Sequence, residues 1–260
     1  MSGAPAATTL PRRERYLTLG LLLGLALAGW GVLVWYASAG SKMPGLTMGL
    51  PAVAFVAVWT LMMVAMMFPA AAPMVTTFAA VQASRRQERR SFVPTWVFTG
   101  SYLLVWVLVG VVAYAVARGL DALAMGSPAL AAGAARAGGG LLILAGLYQL
   151  SPLKHACLSR CRTPWQFLLT SWRDGYRGAV RMGMEHGAYC LGCCWLLFAI
   201  LFPLGLMNLL AMVAITALVY AEKTLPFGVR AARVAAVLLV AYGVLVLIVP
   251  TALPGAAGAM

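Results

Sequence analysis

The sequence predicts an all-α protein, a polytopic bundle of about seven transmembrane helices that forms one integral membrane domain over residues 1–260. Three observations favour this fold class. The composition is 63% hydrophobic and 10% charged, and the mean hydropathy of +0.91 is typical of a polytopic membrane protein. Apolar runs long enough to cross a bilayer, about 20 residues each, recur along the chain. Basic residues are concentrated in the short segments between these runs.

The first apolar run covers residues 16–36 and follows a basic tail, residues 1–15. Because the run is longer than the ~7–15 residues of a signal-peptide core, we expect a retained helix, with cleavage after Ala39 as the alternative. The second span begins near Pro51, and Pro69 and Pro73 should kink or end it. The remaining spans are expected at about 93–117, 137–150, 180–201, 203–220 and 229–249.

The distribution of positive charge predicts the orientation. Sixteen of the 19 Lys and Arg residues fall in the N-terminal tail and in alternate inter-helix segments. By the positive-inside rule, the N-terminus and a Cys-containing loop at 153–180 should be cytoplasmic and the C-terminus outside, in the inner membrane. The net charge of +13 is explained by this orientation and by contact with anionic membrane lipid, so we exclude a nucleic-acid role.

The largest group of candidate metal ligands lies in residues 182–195, at the start of the predicted fifth span. On a helix, Met182, His186, Cys190 and Cys193 fall within an arc of roughly 80°, with Cys194 on its flank. Thioether, imidazole and thiolate are soft ligands that suit Cu(I), with Zn as the alternative. Packing is the competing interpretation, above all for Cys194, because free cysteine behaves as a small hydrophobe. An ionisable side chain such as His186 in a membrane helix instead favours a functional site.

A second cysteine pair, Cys157 and Cys161, lies on the predicted cytoplasmic side. This side is reducing, so we expect thiols rather than a structural disulfide. A spacing of four places both on one helical face, where Arg160 and Arg162 should favour the thiolate. Two cysteines without a ligand remain the alternative.

The second span carries four methionines in two pairs at helical spacing: Met62 with Met66, and Met63 with Met67. Their thioethers would make a soft-metal relay, and helix packing or lipid contact is the alternative.

These pieces resemble a bacterial family of membrane proteins described as predicted metal-binding integral membrane proteins. The similarity covers about residues 46–228. The matching pieces are Met62-Met-Val-Ala-Met-Met-Phe-Pro69, Tyr148-Gln-Leu-Ser-Pro-Leu-Lys154, Cys157, Cys161-Arg-Thr-Pro164, His186-Gly-Ala-Tyr-Cys-Leu-Gly-Cys-Cys-Trp195, Met207-Asn208 and Glu222-Lys223. The resemblance implies metal binding, without naming the metal or an activity.

The first functional hypothesis is a soft-metal handling protein, without a catalytic residue. Cys157 and Cys161 would receive the metal and pass it into the bundle, with thiol protons going to Glu185 or His186 and a metallochaperone or membrane metalloenzyme as the partner. The alternatives are a membrane thiol-disulfide oxidoreductase that uses Cys190 and Cys193, and a scaffold or assembly factor whose cysteines only pack.

Overall fold

The computed structural model describes residues 12–39, 45–88 and 92–254. Residues 1–11 of the expected cytoplasmic tail lie outside this part of the chain. The described ranges form helices and connecting turns without a strand, which confirms the all-α fold class. The helices are α1 (Arg12–Ser38), α2 (Ala52–Gln87), α3 (Thr95–Gly126), α4 (Pro128–Gln149), α5 (Pro152–Arg162), α6 (Pro164–Ser171), α7 (Gly175–Ala199), α8 (Leu201–Leu204), α9 (Leu209–Thr224) and α10 (Gly228–Ile248), followed by a 3-10 turn, Pro250–Ala252.

Six of these helical segments are long and apolar enough to cross a membrane: α1, α2, α3, α4, α7 continued through α8, and α10. Large apolar side chains remain exposed on their outer faces, for example Leu27 and Val237. The chain is therefore a membrane protein. The expected sixth span, 203–220, corresponds to α9, which has 16 residues and is shorter than these six. The count of seven spans and the orientation of the termini stay predictions.

Helix α2 does not end at its prolines. It runs for 36 residues with Pro69 and Pro73 inside it, and it absorbs part of the polar segment that follows the second span. Prolines are tolerated inside membrane helices because neighbouring helices and Ser or Thr hydroxyls satisfy the backbone groups that proline frees.

Small residues set the closest helix contacts. Helix α4 packs along α10, where a Cβ added at Gly243 would lie 2.7 Å from the Gly139 carbonyl oxygen. Helix α3 packs along α7 in the same way, since a Cβ at Gly183 would lie 2.4 Å from the Phe98 carbonyl oxygen and one at Gly187 would meet Val105 at 2.8 Å. Close backbone approach at glycine is a common basis of membrane helix packing. Gly183 and Gly187 thus bring α3 against the face of α7 that carries the soft donors.

The segment expected as a cytoplasmic loop contains two short helices, α5 and α6. Pro152 occupies the first turn of α5, and the Ser151 hydroxyl caps this helix by accepting from the Lys154 backbone N–H. Helix α5 packs against α7 and α9. Arg162, in its last turn, donates to the carbonyl oxygens of Glu222 and Leu225 at 2.9 and 3.0 Å. A cation there complements the C-terminal end of α9, so α5 is held at one end of the bundle.

Candidate metal centre

The predicted stripe on α7 faces the interior of the bundle. Met182, His186, Cys190 and Cys193 are each at most 3% exposed, and Cys194 is equally buried. Helix α3 covers this stripe through the glycine contacts described above. The soft donors of α7 therefore face other helices and not lipid.

The Cys190 thiol is the meeting point of three helices. Lys223, near the end of α9, donates from Nζ to Cys190 Sγ at 2.9 Å. Tyr102 of α3 places its hydroxyl 3.2 Å from the same sulfur. Both partners lie within hydrogen-bond distance of this sulfur, so Cys190 is a polar contact point inside the bundle.

The next two cysteines of α7 have different surroundings. The thiols of Cys193 and Cys194 both donate to the Cys190 carbonyl oxygen, at 3.1 and 2.8 Å. Cys193 also lies close enough to the Cys161 thiol of α5 for the two side chains to interact electrostatically. Cys193 therefore links the two cysteine groups of the sequence, and Cys194 stays within α7.

Cys157, the first cysteine of α5, packs against α7 at a glycine. A Cβ added at Gly192 would lie 2.7 Å from Cys157 Sγ, so this thiol lies against the bare backbone of α7. The Tyr148 hydroxyl donates to the Gly192 carbonyl oxygen on the same turn. Cys157 is half-buried, whereas the other four cysteines are buried, and all five are free thiols in the structure.

The pKa values of the α5 thiols contradict one expectation. Burial raises the pKa of Cys157, and the interaction with Cys193, together with burial, raises the pKa of Cys161 well above its ordinary value. The neighbouring arginines do not favour thiolates here because they are used elsewhere. Arg160 lies over the Tyr189 ring at 5.8 Å, and Arg162 binds the end of α9.

His186 lies among aromatic rings. Its imidazole stacks with Phe98 and Tyr102, with ring centroids 6.0 and 5.5 Å away, and meets the Phe167 ring edge-on at 5.6 Å. Its Nδ1 atom is buried and makes no hydrogen bond with the described residues. A buried ring nitrogen without a partner is costly, and ligation of a metal would satisfy it. Glu185, the other expected proton acceptor, points away and pairs with Arg181 at 3.0 Å.

The four methionines of α2 are buried as well. Met62, Met63, Met66 and Met67 are at most 1% exposed, so contact with lipid is excluded for them. Two ring contacts fix their position along the axis of the bundle. Trp59 stacks with Phe202, which lies beyond the end of α7, and Phe78 stacks with Phe98, which in turn stacks with His186. The methionines lie between these contacts on α2. Along the bundle axis they therefore extend from the level of the α7 cysteines toward α8, on a helix that packs against α1, α3 and α9.

Sequence reasoning gave no role to a buried polar network beside the cysteines. Glu222 accepts from Lys154 Nζ at 2.7 Å and from Gln149 Nε2 at 3.0 Å, and Lys154 also donates to the Gln149 side chain. Lys223 and Tyr102 complete the set of unassigned polar contacts at this end of the bundle. The signal was present in the sequence, since Glu222 and Lys223 directly follow an apolar run and charge there is rare.

No three His, Cys, Asp or Glu side chains within residues 12–39, 45–88 and 92–254 form a group that could hold a metal ion as they stand. The Cys190 sulfur is engaged by Lys223 and Tyr102 in this arrangement. The predicted ligands are gathered at one end of the bundle, and their assignment as ligands stays a prediction.

Comparison with known proteins adds a family. Residues 56–246 match the family model described as PpoB2, copper chaperone. No curated protein and no solved structure matches the chain. The match confirms the metal-related character that the sequence resemblance implied, although not the family name given there. Because the matched segment covers most of the 260 residues, the chain belongs to the PpoB2 copper chaperone family.

Proposed function

We propose that this protein carries Cu(I) within the membrane, receiving it at the α5 thiols and holding it at the sulfur donors of α7. The observation that carries the proposal is the contact between the two cysteine groups: Cys157 lies against Gly192, next to Cys193 in the chain, and Cys161 interacts with Cys193. Residues about 30 positions apart in sequence thus present thiols to one another. The family match supports copper as the cargo.

The chemistry of the donors fits a soft ion. Thiolate and thioether sulfur select Cu(I), and a buried imidazole nitrogen adds a further donor. Neighbouring sulfurs allow the ion to gain one ligand before it loses another, so it moves without being released. Cys157 is the most accessible of the five thiols, and we assign it to entry. Cys190, Cys193 and His186 form the holding site, with Met182 beside it.

The methionines of α2 provide a path for Cu(I) from the holding site toward the α8 end of the bundle. Thioethers bind Cu(I) without losing a proton and more weakly than thiolates, so they suit transit better than storage. Met66 and Met67 lie nearest the cysteine level, and Met62 and Met63 lie further toward α8. With the α5–α6 end in the cytoplasm, as the charge distribution predicts, this path leads across the inner membrane toward the outer face. A membrane metalloenzyme or a second metallochaperone would accept the ion there.

The test is anaerobic Cu(I) binding by the full-length protein in detergent, measured by competition with a chromophoric Cu(I) chelator and by elemental analysis. Wild type should retain Cu(I) near stoichiometrically and protect its thiols from alkylation. His186→Ala and Cys190→Ser should lose tight retention and keep near-normal expression and thermal stability. Cys194→Ser is the matched control, since its thiol donates to the α7 backbone at the Cys190 carbonyl oxygen, and it should keep most binding.

Two outcomes would contradict the proposal. A metal-free protein in which Cys190 and Cys193 form a redox-titratable disulfide would indicate the thiol oxidoreductase instead. Similar modest destabilisation by Cys190→Ser, Cys193→Ser and Cys194→Ser, without any effect on metal, would indicate cysteines that only pack.

A further inference from the structure

Lys223 carries a buried positive charge that no carboxylate balances. It is 8% exposed, and its Nζ donates to Cys190 Sγ at 2.9 Å. The adjacent Glu222 is already occupied, because Lys154 and Gln149 bind both of its carboxylate oxygens. Lys223 takes part in none of the ion pairs identified among the described residues.

The other acidic residues of the chain are used elsewhere or exposed. Asp121 accepts from the Leu46 backbone N–H, Asp174 pairs with Arg85, and Glu185 pairs with Arg181. Glu14 and Glu88 have exposed side chains, whereas Lys223 is buried. The hydrogen-bond partner found for Lys223 Nζ is therefore a sulfur and not a carboxylate.

We propose that Lys223 makes the sulfur site selective for a monovalent soft cation over a divalent one. This inference rests on the proposed function and concerns the ionic charge of the cargo. Lys223 Nζ lies 2.9 Å from Cys190 Sγ, so any cation bound to this sulfur lies within a few ångströms of the lysine ammonium. Like charges repel in proportion to their product, and a monovalent ion is therefore opposed less than a divalent one.

A divalent ion in the same site is less favourable. Zn(II) at the Cys190 sulfur would meet the Lys223 ammonium with twice the charge of Cu(I), so the repulsion between them would be about twice as large. An unpaired charge in a low-dielectric interior is costly. Zinc also prefers four protein ligands in a closed structural site. The site therefore disfavours zinc for two reasons: the fixed positive charge of Lys223 and the small number of anionic ligands.

The experiment compares Ag(I) with Cd(II), two thiophilic ions with the same number of electrons and different charge, on the full-length protein in detergent. Each ion is titrated in competition with a chelator, and the ratio of the two affinities is the readout. Wild type should prefer Ag(I). Since like charges about 4 Å apart at an effective dielectric constant of about 20 repel strongly, and the divalent ion is repelled more, Lys223→Leu should shift the ratio toward Cd(II) by about tenfold or more.

Two variants separate charge from structure. Lys223→Arg keeps the charge and should keep a ratio near that of wild type, whereas Lys223→Gln should shift it as Lys223→Leu does. Arg230→Leu is the matched control, because it removes an exposed positive charge near the start of α10, and it should leave the ratio unchanged. If Lys223→Leu is not monodisperse, the comparison of Lys223→Arg with Lys223→Gln decides.

The result that overturns the inference is a ratio that stays constant within about twofold in every Lys223 variant, or an equal loss of Ag(I) and Cd(II). An equal loss would mean that Lys223 acts through the fold. Failure of the proposed function is distinguishable from both, because wild-type protein would then retain neither Ag(I) nor Cu(I).

Discussion

Two buried lysines, Lys154 and Lys223, lie at the same end of the bundle and have opposite kinds of partner. Lys154 is fully buried and pairs with the Glu222 carboxylate, which Gln149 also binds. Lys223 follows Glu222 directly in sequence and donates to a cysteine sulfur. A carboxylate is a permanent counter-ion at neutral pH, whereas a thiol becomes one only when it loses its proton. The first lysine therefore belongs to the framework, and the second belongs to the chemistry of the site.

The framework role of Lys154 follows from what its pair connects. Gln149 ends α4, Lys154 lies in the first turn of α5, and Glu222 lies in the last turn of α9. Their hydrogen bonds fix α5, and so Cys157 and Cys161, relative to the rest of the bundle. Buried ion pairs of this kind are weak evidence for stability as a whole, but removing one partner leaves the other charge unpaired.

The largest effect should follow from breaking that pair. Glu222→Gln leaves the fully buried Lys154 ammonium without an anion, and we expect a loss of about 3–5 kcal/mol in the free energy of unfolding. Thermal unfolding in detergent, followed by tryptophan fluorescence, would measure it. The double variant Lys154→Met with Glu222→Gln should recover much of the loss, since an apolar side chain then replaces the unpaired charge. A double variant as unstable as the single one would contradict the pairing.

A smaller stability effect is expected when Lys223 is neutralised. Lys223→Leu leaves a protonated Cys190 thiol in an apolar site, where free cysteine packs as a small hydrophobe. The free energy of unfolding should therefore change by about 1 kcal/mol or less. The same unfolding measurement applies, with Lys223→Arg as the conservative control. If Lys223→Leu costs as much as Glu222→Gln, the two lysines have the same structural role and the contrast between them fails.

The contact between Cys157 and α7 gives a third prediction. In Gly192→Ala the new methyl group meets Cys157 Sγ at 2.7 Å, and the thiol must turn away, which should cost about 1 kcal/mol from overpacking. In a background that keeps only Cys157 and Cys193, oxidative cross-linking should slow. Gly119→Ala is the control, because a Cβ there meets no atom within 4 Å. Unchanged cross-linking in Gly192→Ala would mean that Cys157 does not depend on this approach.

The sequence was sufficient for the fold class and for the inward face of α7, because helical periodicity and hydropathy are local properties. It was insufficient where tertiary contacts decide. Of the two outcomes expected at Pro69 and Pro73, a kink or an end, α2 does not end there, and Arg162 binds α9 instead of supporting a cysteine thiolate. The partners of Cys190 could not be predicted either. Tyr102 and Lys223 reach it from helices 88 and 33 residues away, and only the packing of α3 and α9 on α7 brings them together.

The last prediction concerns the methionines of α2, where exchange to leucine removes sulfur and leaves the charge unchanged. Exchanging Met66 and Met67 for leucine nearly conserves volume, so the cost should stay under about 1.5 kcal/mol. Because the thiolates remain, equilibrium retention of Cu(I) should be close to that of wild type. Transfer should change instead, since removing two thioethers beside the cysteine level interrupts the next step of ligand exchange.

This last effect needs a kinetic measurement with a defined side. Protein reconstituted in liposomes and loaded with Cu(I) would be exposed to a membrane-impermeant chelator outside, in preparations enriched for each orientation. Release toward the α8 end should slow in the double leucine variant, and release toward the α5–α6 end should not. Met74→Leu serves as the matched control, being equally buried on α2 but placed on the Phe78 side of the two methionines, away from α8. Equal slowing on both sides would assign Met66 and Met67 to the holding site, and no slowing on either side would reduce them to packing residues.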